Sequence, residues 1–222
     1  MSIRSNTGLL AIVLVSGAVG WALSPTWGIA IWGVGVVATL VLGLAIAFKK
    51  TVSVPLIVAY AVFEGLFVGA ISESYSAAFY QPGQETAFQG IVPQAVMGTL
   101  AVFAGMLIAY KTGLIKVTEK FRRMVVMAVM GYAIFALVNL VYALVARQSF
   151  GLGGTGMLGF GISIFAIGLA SLMLAVDFDS IDRAIAAGAP QKYSWLLAHG
   201  LVVTLVWLYL EILRLLGRMR SN

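Results

Sequence analysis

The feature that most constrains this chain is a succession of seven apolar stretches separated by short polar connections. Crossing a bilayer core of about 30 Å as a helix takes roughly 20 residues, and each stretch meets or approaches that length. They lie at approximately 6–23, 27–48, 52–74, 91–110, 124–146, 157–178 and 195–217. No alternation typical of strands is visible. The pattern therefore predicts one all-α domain, a polytopic bundle of seven transmembrane helices.

The composition excludes other classes of protein. Hydrophobic residues make up 61% of the 222 residues and charged residues only 10%, whereas soluble domains have roughly 45–50% and about 25%. Too few polar side chains remain to cover a surface in water, which excludes an ordinary soluble enzyme and a disordered chain. The net charge of +6 comes from basic residues scattered among the apolar runs, so we expect no nucleic-acid partner. The absence of cysteine excludes disulfides, thiolate metal sites and Cys nucleophiles.

The first stretch could be taken for a signal peptide, with Arg4 as its charged region. No convincing cleavage site of small residues follows it, and the apolar pattern resumes directly after Ser24, Pro25 and Thr26. A signal peptide would end in such a site. We therefore interpret the stretch as a retained first helix that turns very tightly into the second.

Basic residues predict the orientation. A cytoplasmic N-terminus places ten Lys and Arg residues inside and four outside, as the positive-inside rule favours. The ten are Arg4, Lys49, Lys50, Lys111, Lys116, Lys120, Arg122, Arg123, Arg183 and Lys192, and the four are Arg147, Arg214, Arg218 and Arg220. The long outer connection 76–90 holds Glu85 and no basic residue. Seven spans put the basic C-terminus outside, which conflicts with the rule, and a re-entrant segment would remove that conflict.

Acidic residues inside the apolar stretches are the strongest candidates for function. An ionisable side chain in hydrocarbon costs at least about 2.5–3.5 kcal/mol and usually faces a cavity or a partner. Glu64 lies near the middle of the third stretch, with nothing nearby in sequence to neutralise it. Glu211 interrupts the seventh stretch, three residues before Arg214, and the two can simply form an ion pair on one helical face. Three further acids stand at the inner end of the sixth stretch, where charge costs less: Asp177, Asp179 and Asp182.

Acids brought together in low dielectric titrate as a unit, so such a cluster can respond to protons. Carboxylate oxygens also suit a hard cation such as Ca²⁺, for which Asp177 and Asp179 are the candidate ligands. The single histidine, His199, cannot build a zinc site, and we interpret it as a packing residue, with a proton relay as the alternative. We therefore expect no resident cofactor, and Ca²⁺ only as a transported ion.

Two glycine patterns have structural explanations. Gly65 and Gly69 form a small-xxx-small pair, which allows close helix packing in lipid. Residues 151–156 match G-x-G-x-x-G literally, but the dinucleotide fingerprint needs a βαβ unit around it, so we interpret this stretch as a flexible loop. No nucleophile–base pair is visible, and we expect no enzyme.

The segment Val62-Phe63-Glu64-Gly65-Leu66-Phe67-Val68-Gly69-Ala70-Ile71-Ser72 and the last two apolar stretches resemble the Bax inhibitor-1 (TMBIM) family, most closely its bacterial YccA/YetJ type. The resemblance covers nearly the whole chain. It implies six helices around a central seventh in a bacterial inner membrane. It also implies a pH-sensitive Ca²⁺ leak through a pore gated by two aspartates, one on the sixth helix and one on the seventh.

Transferred to this chain, the resemblance gives one match and one departure. The sixth-helix aspartate of the family follows an aromatic residue, so Asp179 after Phe178 matches best and Asp177 competes with it. On the seventh helix, Thr204 falls where the family has its aspartate, and Arg214 falls on a matching arginine. The acid there is Glu211, about 10 Å further along the same face. Either the gate is rearranged, with Glu64 approaching Glu211 and Arg214, or the switch is missing.

These features lead to two hypotheses. The first is a cation (Ca²⁺) leak channel or transporter-like protein in which protonation of intramembrane carboxylates shifts a helix arrangement. The second is a membrane regulatory protein that acts on a partner, such as a membrane protease or stress-response factor, through the basic connection 111–123 and without ion conduction.

Overall fold

The computed structural model describes residues 3–49, 51–80, 89–147 and 151–221, and only the backbone of residues 3–6 and 29. The orientation residues Lys50 and Glu85, and the side chain of Arg4, lie outside this description. Within it, the secondary structure is helical. The elements are α1 (Ile3–Phe48), α2 (Val54–Ala78), α3 (Ile91–Lys111), α4 (Glu119–Ala146), a 3₁₀ turn (Gly151–Gly153), α5 (Met157–Ala186) and α6 (Lys192–Ser221).

Seven segments of the described helices are long and apolar enough to cross a membrane. Two of them lie in α1, at Thr7–Gly28 and Ala30–Phe48, and each remaining α-helix supplies one. The predicted all-α bundle of seven transmembrane segments is confirmed. In this numbering the predicted third, sixth and seventh helices are α2, α5 and α6.

The chain of α1 reverses its direction along α2, although its backbone stays helical through Pro25. Its successive contacts are Gly17 with Gly65, Ser24 with Ala70, Gly35 with Phe67 and Gly43 with Tyr60. These positions first advance along α2 and then go back, so the two halves run in opposite directions. The reversal lies between Ser24 and Gly35, a stretch that begins at the predicted tight turn and contains Pro25, which lacks the backbone N–H of a regular helix.

α5 continues two turns beyond the apolar stretch that predicted it. The stretch ends at residue 178, but the helix ends at Ala186, where Gly188 adopts φ +62° and its N–H bonds the carbonyl of Ile185. A left-handed glycine of this kind is a common helix terminator. The expectation that Asp177 and Asp179 stand at a helix end is therefore wrong, because hydropathy marks the membrane segment and backbone capping marks the helix.

The chain divides into two compact units, Met1–Tyr80 with Ser180–Val203, and Gln81–Asp179 with Thr204–Asn222. In the first, α1 packs closely on α2: a Cβ at Gly65 would lie 2.5 Å from the Val13 carbonyl oxygen. In the second, apolar side chains of α4 and α5 form a buried cluster. Its members are Val125, Tyr132, Ala166, Leu169 and Val176, with Trp207 of α6 packed against them.

Candidate functional site

Asp177 is the acid of α5 that contacts α6. Its side chain is buried, and its Oδ2 atom accepts a hydrogen bond of 2.6 Å from the hydroxyl of Thr204, which is buried as well. Thr204 occupies the position at which the resemblance places the second aspartate. The α5 acid that meets this position is therefore Asp177, whereas the better match by sequence, Asp179, has a different partner.

Asp179 faces α4 and forms an ion pair with Arg122. The Arg122 Nη2 atom lies 2.5 Å from Asp179 Oδ2, with both side chains partly buried. Arg122 stands in the first turn of α4, after the N-cap Thr118, whose hydroxyl accepts a bond from the Phe121 N–H. The sequence interpretation treated Arg122 only as a charge that sets orientation. Its partner on another helix is invisible in a linear pattern.

Glu211, in the C-terminal half of α6, accepts hydrogen bonds from two side chains. The Tyr132 hydroxyl of α4 donates to Glu211 Oε1 at 2.6 Å, and Arg214 Nη1 donates to both carboxylate oxygens at 2.9 and 3.1 Å. The Tyr132 ring also stacks on Trp207, with centroids 5.4 Å apart. The ion pair expected from the three-residue spacing is present. Tyr132 was missed, because one tyrosine in an apolar helix carries no sequence signal of its own.

Three buried polar residues of α6 follow one face at heptad spacing. We call Thr204, Glu211 and Arg218 the polar spine. Two successive members lie about 10 Å apart along the axis, and the face drifts by only about 20° per heptad. Their exposures are 4%, 3% and 2%. This spacing is readable from the sequence, and it is the signal that identifies Arg218, which the site prediction left out.

The described hydrogen bonds of Arg218 go to the connection between α4 and α5 and to α5 itself, and none of them goes to Asp177 or Glu211. Its Nε donates to the Gly154 carbonyl oxygen at 3.0 Å, and its Nη1 donates to the hydroxyl of Ser163 on α5. Residues 151–156, which the sequence suggested to be a flexible loop, make specific hydrogen bonds in the structure. Their first three residues form the 3₁₀ turn, and the Leu152 N–H bonds Asn139 Oδ1 at 2.7 Å.

Glu64 lies in the other unit, on α2. It is 3% exposed, it shares a hydrogen bond with Tyr60 one turn earlier, and its Oε2 atom is buried without a hydrogen-bond partner. The Tyr60 ring contacts the half-buried His199 ring edge-on, with centroids 4.5 Å apart. A carboxyl group in hydrocarbon needs a proton, a partner or water, and none of the described side chains or backbone groups is a hydrogen-bond partner of Oε2. The approach of Glu64 to Glu211 and Arg214 stays a prediction.

The side chains that could bind a cation are carboxylates, and each of them has different hydrogen-bonding partners. Among the described residues no three acidic or histidine side chains gather as in a metal centre. Asp177 and Asp179 direct their Oδ2 atoms to Thr204 and Arg122, and Asp182 is half-buried on the next turn of α5. Individual carboxylates in this arrangement can take up a proton or bind a cation, but the described residues do not provide a site with several protein ligands.

The comparisons with known proteins agree with the resemblance at the level of the family. A family model described as Bax inhibitor 1 like matches residues 2–221. No curated protein and no solved structure gives a match. Because the match spans almost the whole chain, together with seven membrane-spanning segments, the chain belongs to the Bax inhibitor-1-like family.

Proposed function

We propose that this protein is a pH-sensitive cation leak channel or transporter-like protein of the bacterial YccA/YetJ type, with Ca²⁺ as its ion. One observation carries the proposal: Asp177, buried in a membrane-spanning helix, is held by the neutral hydroxyl of Thr204. Ionisable side chains are rare in membrane-spanning helices, and where they occur they commonly belong to ion pathways or proton relays. A proton or a cation at Asp177 changes the charge at the contact between α5 and α6.

The acids of α5 and α6 are each engaged in the arrangement described, which we interpret as closed. Arg122 neutralises Asp179, and Arg214 neutralises Glu211. A Ca²⁺ ion has to compete with these cations for the carboxylate oxygens. Asp177 is the acid at which α5 meets α6. Protonation of Asp177 weakens the charge-assisted hydrogen bond that its carboxylate accepts from Thr204, so a fall in pH biases α5 and α6 toward separation at this contact.

Calcium flux into liposomes tests this proposal. The purified full chain is reconstituted around a Ca²⁺ dye, and we expect flux that increases as the pH falls. Asp177→Asn removes the ionisable group and should abolish the pH dependence, whereas Asp182→Asn, on the same helix, should retain it. Zero flux of the wild type at every pH, or an unchanged pH profile in Asp177→Asn, would contradict the proposal. Asp179→Asn and Glu211→Gln extend the series.

The proposed orientation has a cytoplasmic N-terminus and an outer C-terminus in the inner membrane. The conflict with the positive-inside rule came from three arginines of α6. All three bond protein groups: Arg214 to Glu211, Arg218 to Gly154 and Ser163, and Arg220 to Gln89 and Gln94. They thus have a role within the protein, and no re-entrant segment is needed to explain them.

Cysteine labelling tests the orientation, since the chain has no cysteine of its own. We expect a membrane-impermeant maleimide to label Ser221→Cys in intact cells and Lys116→Cys only after lysis. The reverse pattern would overturn the orientation.

The regulatory alternative has one observation in its favour. The basic connection between α3 and α4 leaves four cations exposed, Lys111, Lys116, Lys120 and Arg123, around Leu114, whose side chain is 80% exposed. Such a surface suits an acidic partner with an apolar contact. A photo-crosslinker at Leu114 in native membranes tests it: a stoichiometric membrane-protein partner, combined with zero ion flux, would favour regulation over conduction.

A further inference from the structure

Arg218, the member of the polar spine nearest the C-terminus, lies in a binding site formed by Gly154, Gly159 and Ser163, which we call the Arg218 seat. The proposed gate does not involve these contacts. A buried guanidinium is costly unless its donors are satisfied. The Arg218 donors reach the Gly154 carbonyl oxygen and the hydroxyl of Ser163, which is itself 0% exposed. The partners come from the α4–α5 connection and from α5, so the contact joins the end of α6 to both.

The seat is shaped for this side chain. A Cβ at Gly159 would lie 2.9 Å from Arg218 Nε and 2.7 Å from the Gly153 carbonyl oxygen, so only glycine leaves room there. Gly154 has φ +54°, a left-handed conformation that turns its carbonyl toward the guanidinium and that glycine adopts at little cost. The connection is fixed in turn to α4 by the bond from Leu152 to Asn139. Arg218 therefore binds to a connection that is itself hydrogen-bonded to α4.

The two ends of the spine differ in the strength of their links. At Thr204 the described link is one hydrogen bond to Asp177, which protonation of that carboxyl alters. At Arg218 the link is a buried cation with two described acceptors that do not titrate. The two ends are 14 residues, or about 21 Å, apart along the axis. A helix held in this way moves at the weaker end.

We propose that Arg218 is a positioning residue that anchors the C-terminal end of α6 to the α4–α5 connection and confines the motion of α6 to its Thr204 end. The confinement of motion rests on the proposed function of the gate. The anchor itself does not, because it can be measured without ion flux.

Two substitutions remove the anchor in different ways. Arg218→Gln removes the guanidinium, and Gly159→Ala displaces it without a change of charge. Each has a matched control. Arg220→Gln removes a charge from the same helix end but leaves the Arg218 seat intact, and Gly161→Ala adds the same methyl group where no atom lies within 4 Å. Arg218→Lys keeps a donor and a charge for rescue.

Distances between spin labels in the full chain, in nanodiscs at one pH, provide the measurement. The labels are placed on cysteines introduced at Phe165 of α5 and Met219 of α6, which are 60% and 57% exposed. We expect a single narrow distance in the wild-type background and in both controls. Arg218→Gln and Gly159→Ala should lose that narrow distance, and Arg218→Lys should restore it in part.

The outcomes separate the anchor from the gate. A narrow distance that persists in Arg218→Gln and Gly159→Ala would overturn the anchor. Loss of the narrow distance in Arg220→Gln would overturn it too, because it would show that the distance does not depend specifically on the Arg218 contacts. If the distance broadens as expected but the wild type conducts no Ca²⁺ at any pH, the anchor stands and the proposed gate fails. A purely stabilising role of Arg218 would lower the unfolding temperature of Arg218→Gln and leave the distance narrow, which would also overturn the proposal.

Discussion

The hydroxyl of Thr204 lies 2.6 Å from Asp177 Oδ2, and this one bond joins a buried acid of α5 to the polar spine of α6. Where the family resemblance places a second carboxyl, this chain has a donor. A hydroxyl satisfies the carboxylate without adding a negative charge, so Asp177 does not have to share a proton with its partner. The pH response at this contact is therefore expected to depend on a single carboxyl.

Restoring the second carboxyl should make the response to pH steeper. In Thr204→Asp two carboxyls face each other, and because like charges at this distance cannot both ionise, they titrate as a pair. We expect Ca²⁺ flux into liposomes to change over a narrower pH range than in the wild type. Thr204→Asn, which adds a similar volume but no charge, should not sharpen the profile. Equal slopes for the Asp and Asn variants would show that position 204 does not take part in the gate.

Arg122 should compete with Ca²⁺ for the carboxylate of Asp179. Arg122→Gln releases a partly buried carboxylate, so we expect a higher Ca²⁺ leak at neutral pH in the liposome assay. Stability should fall by about 1–3 kcal/mol, because the substitution leaves a partly buried carboxylate without its cation. The neighbouring Arg123→Gln removes the same charge from an exposed position and should leave the leak unchanged.

The double variant Arg122→Gln with Asp179→Asn tests whether Arg122 acts through Asp179. It should return the leak to the wild-type level, because the carboxylate that Arg122→Gln leaves without its cation has been replaced by an amide. A leak that stays high in the double variant would show that Arg122 acts through another group.

The membrane segments could be predicted from the sequence because burial in lipid demands long apolar runs, and each run became a span. Helix ends could not, because they depend on backbone capping. α5 passes residue 178 and stops only near Gly188, whose φ is +62°. The reversal of α1 was predicted at Pro25, but the helical backbone through it was not, since a proline usually breaks a helix in water-soluble proteins.

The acids of the site could be predicted, and so could Arg214 as the partner of Glu211 on the same helix, but partners on other helices could not. Glu64, Asp177 and Glu211 stand out because charge is rare in apolar runs. The choice of Asp177 over Asp179 as the partner of Thr204 depends on the rotation of α5 against α6, which a difference of two residues changes by about 200°. Tyr132 and Arg122 come from α4, and their contacts span 79 and 57 residues. The heptad spacing of Arg218 from Thr204 and Glu211, in contrast, is readable in the sequence.

The bond from Tyr132 to Glu211 should stabilise the fold measurably. Tyr132→Phe keeps the ring on Trp207 and removes only the donor, so a loss of about 1.5–3 kcal/mol is expected for a hydrogen bond to a charged group. The free energy of unfolding in mixed micelles is the measurement. Tyr142→Phe, on the same helix with an exposed side chain, should cost nothing measurable. If the two variants are equally stable, the hydroxyl of Tyr132 contributes no net stability.

The contact of α1 with α2 depends on the absence of side chains at its glycines. In Gly65→Ala the new methyl group would lie on Ser16 Oγ and 2.5 Å from the Val13 carbonyl oxygen. Because two helix backbones would have to separate, we expect a loss of about 1–3 kcal/mol in the free energy of unfolding, typical of overpacking. Gly105→Ala on α3 adds the same group where no atom lies within 4 Å, and it should be neutral or stabilising by about 0.5–1 kcal/mol through higher helix propensity. If Gly65→Ala is as stable as Gly105→Ala, the first span of α1 does not pack on α2 at this glycine, and the reversal inferred from these contacts would be wrong.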